Sequence, residues 1–328
     1  MGNIELQREH WIDNLKGFML LLIVMGHMGP IPHIISFVFS PTDLLYVTVF
    51  FYLSGYLFKE QSSFKNFIRN KTKSLLVPYI CISILVSLLD WNLYINTKEY
   101  LHENLSRILL GNGPIKASPL WFVSTLFCAN IILKLLKSIK KSNIRNILVI
   151  MLPFLCYILY HYKIRLPLRF DSSIGAAFIM YIGSYISNLN DINSLKKIIL
   201  TLLSAIIGLI GIYNHVGLLN YNTTITCLSF PCAIGGCYFI SEIAKLYRKP
   251  ILSFTYIARN GLPILGFHCI IYYYIKVILK NFHLNPVIQF IVITIAIFTI
   301  IYYITIPILH RCFPQLWGLK RKIQNHGN

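Results

Sequence analysis

A lysine and a histidine on one apolar stretch raise the first chemical question. In WIDNLKGFMLLLIVMGHM, Trp11 to Met28, Lys16 and His27 stand eleven residues apart, about three full turns of helix at roughly 100° per residue. A helix puts both on one face, with His27 about 16 Å farther along the axis. Asp13 sits one turn before Lys16, and Leu20, Ile23 and Val24 fill the stripe between. An imidazole can take a proton from an alcohol near neutral pH, and a cation can hold an anionic group. Ionisable groups inside a membrane span are costly and usually face a bundle interior or a wet cavity. The plainer alternative makes Asp13 and Lys16 interfacial anchors and His27 a satisfied polar group.

Further residues with chemical potential are scattered along the chain. His268 is a second imidazole within an apolar run, where a structural role is the alternative. Lys65, Arg69 and Lys73 are spaced by four, so a helix lines them up as one basic face. That face either marks the cytoplasmic side or binds phosphates through charge-assisted hydrogen bonds. Ser54 and Gly55, in FFYLSGY, are small enough for close helix packing. Trp121 opens an apolar run, as an interfacial belt residue would. The eight cysteines show no metal-ligand spacing, so no metal is expected.

These residues must be positioned by an all-α membrane bundle. The 328 residues are 56% hydrophobic and only 12% charged, with mean hydropathy +0.63, about half the charge fraction of a soluble chain. The apolar runs suggest ten spans. They are Trp11 to Met28, Phe37 to Phe58, Ser74 to Asp90, Pro119 to Leu136 and Asn146 to Tyr160, then Ser172 to Ser187, Lys197 to Tyr213, Tyr221 to Ile240, Ile251 to Val277 and Pro286 to Leu309. No polar stretch is long enough to bury a core of its own, so residues 1–328 read as one transmembrane domain. The net charge of +19 lies in short clusters between the runs, which argues for the positive-inside rule and against nucleic acid. With both termini cytoplasmic, about 20 of the 30 Lys and Arg fall inside. Arg8, Lys16 and His27 with no small-x-small site following argue that the first span is retained rather than cleaved as a signal peptide.

Several of these segments carry a family resemblance. Asp13, Lys16, ten residues and His27, embedded in IDNLKGF…LLIVMGH, resemble the opening helix of the acyltransferase-3 membrane O-acyltransferases. FFYLSGY, RNKTKSLLVPY and PLWFVSTLF are similar to that family's later motifs. ARNGLPILGFHCI, Ala258 to Ile270, resembles the late-span pattern of its sugar O-acetylase branch. There Arg259, Asn260, Leu262 and His268 match, while Ala258 and Gly261 replace the usual Gly and Ser.

The resemblance implies a multi-pass protein of the plasma (inner) membrane. It would move an acetyl group from cytoplasmic acetyl-CoA onto a hydroxyl of a surface polysaccharide or its lipid-linked precursor. His27 would be the catalytic base, with Lys16 serving the donor and Asp13 steadying Lys16. Lys65, Arg69 and Lys73 would hold the coenzyme A phosphates. Ser54, Trp121, Arg259, Asn260 and His268 would line the substrate path. The competing reading uses the same polar groups for a transporter or flippase, or leaves them as relics in a subunit of a polysaccharide-export assembly.

Overall fold

The computed structural model of the chain describes residues 9–29, 31, 38, 42–59, 63–90, 97–187, 194–213, 228–282 and 284–314. Every regular element among them is a helix, the form in which an apolar segment satisfies its own backbone in lipid. Helix α1 spans His10–Gly26. A π-helical turn, Thr42–Tyr46, leads into α2, Val47–Tyr56. Helix α3, Phe64–Lys71, continues through a second π turn, Thr72–Leu76, into α4, Val77–Asp90. Next come α5, Thr97–Leu109, and a 3-10 segment, Ile115–Leu120, that opens α6, Trp121–Ser138. They are followed by α7, Ser142–His161, α8, Phe170–Ile186, α9, Ser194–Tyr213, and α10, Ser229–Lys245. The chain closes with α11, Leu252–Arg259, α12, Gly261–Leu279, α13, Pro286–Ile300, and α14, Ile306–Cys312.

Among the described residues, six helices are long and apolar enough to cross a membrane: Phe64–Asp90, Ile115–Ser138, Ser142–His161, Ser194–Tyr213, Gly261–Leu279 and Pro286–Cys312. They divide into two kinds. The most apolar window of Ile115–Ser138 is 72% buried, against 11% for Ser142–His161 and 17% for Ser194–Tyr213. The last two expose apolar side chains that suit lipid tails, such as Ile147 and Phe154 on the first and Ile198 and Leu202 on the second. Helices α1, α8 and α10, at 17 residues each, are about 25 Å long and lie inside. Close approach there depends on glycine: a Cβ added at Gly55 would lie 1.9 Å from the Met180 carbonyl oxygen.

The elements depart from the sequence expectation in three places. Lys65, Arg69 and Lys73 are not in a connector but on the first turns of one continuous helix, Phe64–Asp90. The polar stretch after the third span contains α5, an amphipathic helix. The expected ninth span is two helices, broken at Asn260 (φ −106°, ψ 25°). Pro263 explains the break, because it has no N–H for the Arg259 carbonyl and its ring would crowd that group. Phe37, Tyr221 to Cys227 and the basic tail with Lys320, Arg321 and Lys322 lie outside the described residues.

Candidate active site

Helix α1 and the pair α11–α12 run in the same direction and in register. Asn14 fixes the start: its Nδ2 donates to the Lys249 carbonyl at 2.8 Å, and the Ile251 N–H donates to its Oδ1 at 2.9 Å. Gly17 then meets the backbone of Phe254, where a Cβ would come within 2.2 Å of the carbonyl oxygen. Leu20 reaches Gly261, and the rings of His27 and His268 meet edge to face with centroids 5.3 Å apart. Tyr272 completes the row by accepting from the Gly29 N–H and donating to the Gly29 carbonyl, at 3.1 and 2.9 Å. A cation followed by an imidazole, Lys16 then His27 and Arg259 then His268, is thus laid out twice, side by side.

Along this seam opens a cavity of about 1040 Å³. Lys16, Leu20, Ile23 and His27 supply the α1 wall. Val24, assigned to the same stripe by the sequence, is fully buried and lies outside the lining. Toward the Lys16 end stand Asn70, Lys73 and Ser74, which flank Lys71, and Arg259 and Asn260, which precede the Gly261 that Leu20 reaches; His310 also lines the cavity. Lys71 lies close enough to Lys16 for the two charges to act on each other. Phe50, Phe122, Leu126 and Leu265 make the middle apolar. At the far end Trp121 and Pro119 join His27. Their place follows from Lys116, whose Nζ lies 3.6 Å from the ring centroid of Tyr273, beyond His268 on α12.

The two imidazoles are held alike and exposed differently. His27 follows the last residue of α1, and its Nδ1–H donates to the Ile23 carbonyl at 2.7 Å. A carbonyl can only accept, so in the neutral ring Nδ1 carries the proton and the Nε2 lone pair is left as the base. The exposed part of this ring opens on the cavity. His268 donates from Nδ1 to the Ile264 carbonyl at 2.8 Å and is 1% exposed. The Cys269 thiol lies 3.3 Å from its Nε2. His268 therefore backs His27 from inside the protein and takes no part in the lining.

A family model described as an acyltransferase domain, that of the acyltransferase-3 family, matches residues 9–306. The chain belongs to the acyltransferase-3 family. No curated protein and no solved structure matches it. It is accordingly a multi-pass membrane acyltransferase.

The candidates drawn from the family's motifs separate into groups. Lys16, His27, Ser54, Lys73, Trp121, Arg259 and Asn260 line the one cavity. His268 touches it only through His27. Asp13 is half-buried on α1 and outside the lining. Lys65 and Arg69 are exposed on α3 and also outside it. They lie two turns and one turn before Lys73 on the same helix, and the stripe on the cavity is Asn70, Lys73 and Ser74 instead. Ala258 and Gly261, where this chain departs from the sugar O-acetylase pattern, line the cavity beside Arg259 and Asn260. Sequence reasoning missed Asn70 and His310; only the resemblance of RNKTKSLLVPY touches the former, and no motif marks the latter.

Proposed function

We propose that the chain transfers an acetyl group from cytoplasmic acetyl-CoA to a hydroxyl of a surface polysaccharide or its lipid-linked precursor. The observation that carries this reading is the order of groups along the cavity: cations at one end, an imidazole with an available Nε2 at the other, apolar wall between. Acetyl-CoA has the same order, with phosphates at one end of a long arm and a thioester at the other. Lys16, Lys73 and Arg259 hold the phosphates, and Lys65 and Arg69 on the same helix guide the donor in. Asp13 steadies Lys16 across one turn.

His27 acts as the general base. Its Nε2 takes the hydroxyl proton as the acceptor oxygen attacks the thioester carbonyl. The carbon–sulfur bond then breaks, and the departing sulfur recovers the proton from His27 as the free thiol of coenzyme A. The apolar walls limit loss of the thioester to water. In this reading ten spans cross the inner membrane with both termini in the cytoplasm, so Lys16 faces the donor's compartment. The test is mass spectrometry of the host's surface glycans with the chain active and with it inactivated. Loss of an acetyl increment from each repeat supports the reading, and an unchanged glycan spectrum contradicts it.

A further inference from the structure

Arg169 lies outside the cavity, yet it is tied to one of the cavity's walls. It is 8% exposed and stands in the left-handed region (φ 56°, ψ 35°) directly after Leu168, which is left-handed too (φ 53°). Two successive non-glycine residues in that region are costly, and such strain persists only where the surroundings over-determine it. Here they do. The Arg169 N–H donates to the Leu110 carbonyl at 2.9 Å, and its own carbonyl accepts from Ser173 Oγ at 2.7 Å. Its Nη1 donates to Asn112 Oδ1 at 3.0 Å. Between those anchors Gly111 has φ +84°, and a Cβ there would meet the Leu168 backbone at 2.7 Å.

The guanidinium held this way lies over the Trp121 ring, with Cζ 4.9 Å from the ring centroid. Trp121 lines the cavity and Arg169 does not, so the indole stands between the arginine and the cavity. The backbone beneath is also fixed: the Trp121 carbonyl accepts from Thr125 Oγ1 at 2.8 Å, and Ser124 Oγ donates to the Gly111 carbonyl at 2.6 Å. A rigid aromatic surface beside the His27 end is what the C–H face of a pyranose would stack on. A planar cation fixed behind the indole holds that surface in one orientation.

We infer that Trp121 is the platform for a sugar ring of the acceptor, and that Arg169 is the positioning residue that sets it. The inference rests on the carbohydrate-acceptor reading above. The test is steady-state kinetics of the full chain with acetyl-CoA and methyl glycosides of neutral hexoses as acceptor probes. Arg169→Met should raise the acceptor KM about three- to tenfold while the donor KM stays put. Arg169→Lys should fall between, since an ammonium keeps the charge and loses the plane. Trp121→Tyr should stay near the unaltered chain and Trp121→Leu should match Arg169→Met, which keeps the test alive if Arg169→Met fails to fold. An unchanged acceptor KM in either Arg169→Met or Trp121→Leu overturns the platform, as does a donor KM that rises in step. No transfer to any glycoside by the unaltered chain instead overturns the carbohydrate reading beneath it.

Discussion

Lys16 and His27 share one face of α1, but their surroundings have little in common. Around Lys16 the chain gathers charge from separate segments: Lys73 from the π turn after α3 and Arg259 from the end of α11. Around His27 it supplies rings and fixed hydrogen bonds: His268 behind, Trp121 across the cavity and the Ile23 carbonyl on Nδ1. One end has several cations that can share an anionic load. The other has a single cavity-lining imidazole held in a single orientation. Substitution of that imidazole should therefore be severe, and substitutions among the cations should be graded.

The largest effect is expected at His27. His27→Ala should lower kcat about 10²- to 10⁴-fold, the usual contribution of a general base. Lys16→Ala comes next, raising the acetyl-CoA KM about ten- to a hundredfold with a smaller change in kcat, because it removes mainly ground-state binding to a charged group. Purified protein with varied acetyl-CoA measures both.

A smaller effect separates the basic residues of α3 and its π turn. Lys73→Gln should raise the donor KM more than Lys65→Gln and Arg69→Gln combined, since only Lys73 lines the cavity. Equal effects from the three would restore the undivided basic face. The smallest effects belong to conservative replacements. Lys16→Arg should leave turnover nearly intact because the charge remains. His268→Phe should cost less than His268→Ala, because a ring still packs against His27.

That ranking also marks what could be read from the sequence. The Lys16–His27 face was legible because α1 is a regular helix from His10 to Gly26, so the 3.6-residue period holds between them. The all-helical membrane class and the six long apolar helices among the described residues were legible from apolar runs alone. The neighbour of α1 was not. Its pairing with α11–α12 turns on Asn14 bridging two backbone groups and Gly17 meeting Phe254, and neither residue is distinctive in an apolar helix. The basic face failed as a unit because only its Lys73 end reaches the cavity, and a four-residue spacing does not say where along a helix a cavity begins. Arg169 escaped notice because a left-handed arginine looks like any other loop cation until its contacts are seen.

The division between the two ends can be measured directly by calorimetric titration of coenzyme A into purified Lys16→Ala and His27→Ala proteins, each assayed for turnover as well. His27→Ala should bind coenzyme A like the unaltered chain and transfer almost nothing, while Lys16→Ala should bind it at least tenfold more weakly. Near-normal transfer by a well-folded His27→Ala protein, or equal loss of binding in both variants, would contradict it.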